Sequence, residues 1–110
     1  MWHLEKDVTI SASHFLKGYE GKCSNRHGHS WKITVYCKGD RLNKDGILVD
    51  FSAIKAAVNH FDHAELNSLF PENENPTAEN LAKRIHEMIP LCWQVMVQEE
   101  DGSRCYFTQE

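Results

Sequence analysis

The stretch GKCSNRHGHSWKITVYC, Gly21 to Cys37, decides how the chain is read. It opens as a polar, glycine-flanked loop and closes as an alternating run. From His27 the odd positions are His27, His29, Trp31, Ile33, Val35 and Cys37. Residues i and i+2 of a strand share a face, so the alternation predicts a buried face that begins with two imidazoles. An ordinary strand has no use for His-Gly-His at its head; a metal site does.

Upstream, the even positions Trp2, Leu4, Lys6, Val8, Ile10, Ala12 and His14 are mostly apolar against a polar odd set, which predicts a first strand whose inward face ends on His14. FLKGYEGKCSNR is then a loop joining the two. Downstream, KGDRLNKDG carries the turn signals Gly39, Asp40 and Asp45-Gly46. The period then changes. Phe51, Ile54, Val58 and Phe61 form a helical stripe, with Asp50 or Ser52 as its cap. DHAELNSLFPENEN connects it to a second helix starting near Asn75-Pro76, with Leu81, Ile85 and Met88 as stripe and Pro90 as stop. Trp93, Val95, Val97 and Glu99 form the inward face of a third strand. Asp101-Gly102 signals a hairpin, and Arg104 to Thr108 returns as a fourth. The order ββααββ predicts an α+β fold: a four-stranded antiparallel sheet with two helices on one face. Such a sheet leaves two open edges, which invite pairing into a homo-oligomer.

At 110 residues the chain has room for one core, so a single domain over 1–110 is expected. The net charge of −4 argues against broad nucleic-acid binding, and no apolar run reaches membrane-spanning length. The N-terminus lacks the basic-then-apolar order of a signal peptide, so a cytoplasmic location is expected. Cys23, Cys37, Cys92 and Cys105 match no common disulfide or zinc-ribbon spacing and read as free thiols; the last three fall among core-like residues.

Three imidazoles, His14 from one strand and His27 and His29 from the next, meet if the strands pair, leaving one position open as in a catalytic zinc site. Cys23, four residues before His27, has three roles open to it by residue chemistry: a thiolate base or nucleophile, a fourth metal ligand, or an inert loop thiol. Asp62-His63 joins a carboxylate to an imidazole it could orient, a weak signal taken alone. Glu99, on an inward face, either frays into solvent near the hairpin or needs a partner such as the paired N–H donors of a 2-amino-4-oxo heterocycle.

These fragments, in this order, resemble the 6-pyruvoyl-tetrahydropterin synthase family, and most closely its bacterial branch, which makes 6-carboxy-tetrahydropterin for queuosine biosynthesis. The matching segments are SASHF, CSNRHGHSW, GILVDFSAIK, FDHAELN, NPTAENLAKRI and VMVQEE. The resemblance implies a tunnelling fold and one Zn²⁺ per subunit on His14, His27 and His29. It implies Cys23 as the base, Asp62 orienting His63, and Glu99 with Thr77 binding the pterin. The implied substrate is 7,8-dihydroneopterin triphosphate, converted to 6-carboxy-5,6,7,8-tetrahydropterin with release of triphosphate and acetaldehyde. Elimination of triphosphate to the 6-pyruvoyl product, or a non-catalytic zinc- or pterin-binding protein, are the alternatives. Trimers, or dimers of trimers, are the implied assembly. Two positions depart from the family pattern: Phe15 stands where arginine is frequent, removing a cation, and Phe61 replaces leucine before Asp-His.

Overall fold

Two thirteen-residue strands, β1 (Trp2–His14) and β2 (His27–Gly39), form one antiparallel ladder running from Trp2 opposite Gly39 to His14 opposite His27. The computed structural model describes residues 1–18, 21 and 24–109. After the ladder come helix α1 (Phe51–Asn59), a two-residue strand β3 (Ala64–Glu65) with a 3₁₀ turn at Leu66–Ser68, helix α2 (Ala78–Met88), and the hairpin β4 (Cys92–Glu100) and β5 (Ser103–Thr108). The sheet order is β3-β1-β2-β4-β5.

The four long strands are antiparallel as the alternation predicts, and the sheet gains a fifth, mixed member. Ala64 and Glu65 pair in parallel with Ala12 and Ser13. Two residues have no readable period, which is why the sequence shows only a connection there. On the edge away from β2, β1 from Trp2 to Ser11 has no strand partner among the described residues, and neither has the outer side of β5.

Val8, Ile10, Trp31, Ile33, Val35, Val95 and Val97 face inward and meet Ile54 and Val58 of α1 and Leu81, Ala82 and Ile85 of α2. Each fully buried aliphatic side chain there contributes about 1.5–3 kcal/mol relative to exposure, and the two helices stay docked through these contacts. Asp50 caps α1 by accepting from Ser52 N. The second helix begins later than Asn75-Pro76: Thr77 is its cap, its hydroxyl accepting from Asn80 N at 3.1 Å. Asn75 is not free to cap, because its side chain is spent on the backbone of Lys17.

Two irregularities in β4 re-aim side chains, as bulges do. Tyr36 pairs with Gln94 but Cys37 pairs with Cys92, so Trp93 is an extra residue. It leaves the inward face expected for it and packs outside, against Tyr36 and His3 with Lys38 4.7 Å above its ring. At the other end Gln98 pairs with Arg104 and Glu100 with Ser103, leaving Glu99 as the extra residue.

Candidate metal centre and its cavities

The ladder puts His14 directly opposite His27, and His29 lies one i+2 step along the same face. Beneath them Trp31 is fully buried, its indole N–H donating to Ala12 O at 3.1 Å and its ring 4.9 Å from that of His14. The imidazoles therefore stand on a rigid floor. One ring nitrogen from each converges, all within 4.8 Å of one another.

Hydrogen bonds fix which nitrogens converge. His14 Nδ1 lies 2.7 Å from Pro76 O, and His27 Nδ1 lies 2.7 Å from Asn25 O. A carbonyl only accepts, so each Nδ1 must carry the proton and each Nε2 presents a lone pair. Those two Nε2 atoms are 2.9 Å apart, and the buried His29 Nε2 has no hydrogen-bond partner among the described residues. Glu99 Oε1 adds a further acceptor 3.3 Å from His14 Nε2 and 4.0 Å from His29 Nε2. Lone pairs so close repel unless a cation lies among them. The donor set, three imidazoles of which His14 and His27 have their tautomers fixed by backbone carbonyls, suits a divalent metal such as zinc.

Burial holds the His14 imidazole below its ordinary value, and the neighbouring His27 and His29 add to the lowering. The Pro76 hydrogen bond and the Glu99 charge oppose it. The neutral, ligand-competent form is the favoured one.

His14 and Glu99 open onto a cavity of about 360 Å³ that Thr77, Glu79 and Cys105 also line. Burial, with the charges of Glu79 and Glu99, pushes the Cys105 thiol up to about 11, so it stays protonated at neutral pH. Glu79 and Cys105 escape a sequence reading because each sits among ordinary surface or core neighbours. Thr77 reaches this cavity from the cap of α2.

Asp62 and His63 lie elsewhere. His63 borders a second cavity of about 500 Å³ with Ser11, Ser13, Gly28, His29 and Glu65. Asp62 Oδ1 accepts from Ser11 N at 2.8 Å, and His63 N donates to Ser11 O, so the pair grips β1 like a short strand. His63 has φ 55°, a left-handed conformation that costs a non-glycine residue about 1 kcal/mol and persists only where its surroundings hold it. Its side chain is 83% exposed, with Nε2 3.5 Å from Asp62 Oδ2. Within one chain the structure thus joins His14, His27, His29, Glu99 and Thr77, and leaves Asp62-His63 on a separate face. Cys23 lies outside the described residues. Gly28 is not needed for the imidazoles to approach, since a Cβ there would meet only Ala12 O at 3.9 Å.

Two asparagines fix the chain beyond His14, in roles that the sequence alone does not mark. Asn67 accepts from Phe15 N and donates to Phe15 O, at 2.9 and 3.0 Å. Asn75 does the same to Lys17, at 2.8 and 3.0 Å. The Arg26 guanidinium lies 5.3 Å over the Phe15 ring while bonding Glu65.

Residues 3–110 match the family of 6-pyruvoyl tetrahydropterin synthase. The chain belongs to that family. Among curated relatives it is 35% identical to the 6-carboxy-5,6,7,8-tetrahydropterin synthase of Bacillus subtilis (strain 168), over 96% of this chain and 84% of that protein. It is 40% identical to the protein of the same name from Synechocystis sp., over 74% of this chain and 70% of the other. The solved 6-pyruvoyl tetrahydropterin synthase of Caenorhabditis elegans shares the fold with a TM-score of 0.80 at 20% identity, covering 99% and 96% of the two chains. This family member carries a triad able to bind a metal ion, and no helix among its described residues is long and apolar enough to cross a membrane.

Proposed function

We propose that this chain converts 7,8-dihydroneopterin triphosphate to 6-carboxy-5,6,7,8-tetrahydropterin, releasing triphosphate and acetaldehyde, as a cytoplasmic step of queuosine biosynthesis. The observation that carries the reading is the convergence of three imidazoles, with the Glu99 carboxylate beside His14 at a cavity both of them line. The names of the relatives at 35% and 40% identity support the carboxy branch over the pyruvoyl one.

His14, His27 and His29 would hold one Zn²⁺ per subunit, which when bound supplies Lewis acidity to the substrate's side-chain hydroxyls. Glu99, which when ionised accepts and does not donate, takes the paired N–H donors of the pterin ring and so sets its orientation. Thr77 adds a polar contact at the same cavity. Cys23 is the base that moves the side-chain protons. Asp62 holds His63 in the tautomer that accepts and returns a proton. Because Asp62-His63 sits apart from Glu99 in one chain, the complete site lies between subunits. The open edges of β1 and β5 support closure into a trimer or a dimer of trimers.

The test is mass spectrometry of the products formed by zinc-loaded protein from dihydroneopterin triphosphate. The 6-carboxy product with acetaldehyde is expected. A 6-pyruvoyl product moves the chain to the other branch, and unchanged substrate in a zinc-replete protein overturns the catalytic reading.

A further inference from the structure

Far from the histidines, the first bulge of β4 brings Cys92 opposite Cys37. A regular continuation from Tyr36 opposite Gln94 would set Trp93 there instead. The extra residue turns Trp93 outward and swings Cys92 inward, so two thiols share the core side of adjacent strands. Cys37 is fully buried and Cys92 is 6% exposed. The other described cysteine is out of reach: Cys105 pairs with Val97, five residues along β4 from Cys92, or roughly 17 Å.

We infer that Cys37 and Cys92 form a reversible redox site, closing to a cross-strand disulfide when a small peroxide reaches them. Directly opposed residues of antiparallel strands lie about 4.5–5.5 Å apart between Cα atoms, within the span a disulfide accepts. Cys37 Sγ donates to Pro90 O at 3.8 Å and Cys92 Sγ to Gln94 O at 3.4 Å. The neighbouring thiol pushes Cys37 up and pulls Cys92 down, so Cys92 is the sulfur that ionises first. Its thiolate attacks one peroxide oxygen and the O–O bond breaks. Hydroxide departs, and Cys92 becomes a sulfenic acid. Cys37 Sγ then attacks Cys92 Sγ, the S–O bond breaks, and the Cys37 proton leaves with the hydroxide as water. Two thiols lose two electrons in total, and one peroxide becomes two waters after taking up their protons. In a reducing compartment such a bond is transient, which is the usual character of cytosolic disulfides.

The experiment treats the native full chain with hydrogen peroxide, caps free thiols with N-ethylmaleimide, digests with trypsin without reductant, and reads peptide masses. The expected product joins residues 33–38, which carry Cys37, to residues 85–104, which carry Cys92. Its mass falls about 2 Da below the sum of the two free peptides, and dithiothreitol separates them. In Cys37→Ala, Cys92 is expected to accumulate as a sulfenic acid trapped by dimedone. Bonds from Cys92 to Cys23 or Cys105 would overturn the inference, as would Cys37 and Cys92 both remaining capped while Cys23 oxidises. The wild-type linkage decides the matter even if the variant does not fold, and it is independent of any pterin chemistry.

Discussion

Asn67→Ala removes the side chain that brackets Phe15, the residue that follows His14. The amide makes two hydrogen bonds, at 2.9 Å from Phe15 N and 3.0 Å to Phe15 O, in a part-buried setting. Each such bond contributes about 1 kcal/mol net, so the loss is about 2 kcal/mol. With a urea slope of about 2 kcal/mol per molar, the unfolding midpoint drops by about 1 M. Asn67→Asp still accepts from Phe15 N but cannot donate to Phe15 O, and is expected to lose about half as much. The exposed Asn73 makes no side-chain hydrogen bond among the described residues, so Asn73→Ala is the control. Urea titrations of the three variants at one fixed protein concentration, followed by tryptophan fluorescence, provide the assay. A midpoint for Asn67→Ala within about 0.3 M of wild type would mean that water replaces the amide without loss. The bracket would then hold nothing in place.

Other outcomes follow from the same geometry. His27→Ala is expected to strip the metal while β2 stays paired, and full metal occupancy by elemental analysis would refute the ligand set. Cys23→Ala should retain both metal and fold but lose turnover; loss of metal would instead make Cys23 a ligand. For the metal-free protein, burial lowers the His14 value, so below pH about 6.5 the unfolded chain binds a proton that the folded chain resists. Stability is then expected to fall as pH drops through that value, and a flat urea midpoint between pH 7 and 5 would refute it. Thr77→Ala removes the cap of α2 and is expected to cost about 1 kcal/mol in the same assay.

Much of this architecture is legible because long strands and helices carry a period. Thirteen alternating residues in each of β1 and β2 fix their inward faces, and with them the meeting of His14, His27 and His29. Ile54 and Val58 on α1 and Leu81 and Ile85 on α2 are likewise buried as their spacing dictates. What escapes has no period. The β3 pair is too short, and a bulge adds one residue without marking itself in composition, so Trp93 is read onto the wrong face. The start of α2 is misread because Asn75 and Thr77 are both good caps, and only the fold shows that Asn75 is engaged elsewhere. Glu99 is legible as an inward carboxylate, but its distance from His14 is a tertiary fact.

The opposition of His14 and His27 also makes the metal triad a check on folding. A slip of one residue between β1 and β2 would send one strand's imidazole to the far side of the sheet, together with every apolar residue behind it. Molecules folded in the wrong register therefore could not assemble the triad. The capacity to bind metal would certify the alignment of thirteen residue pairs, the last of which is formed by His14 and His27 themselves.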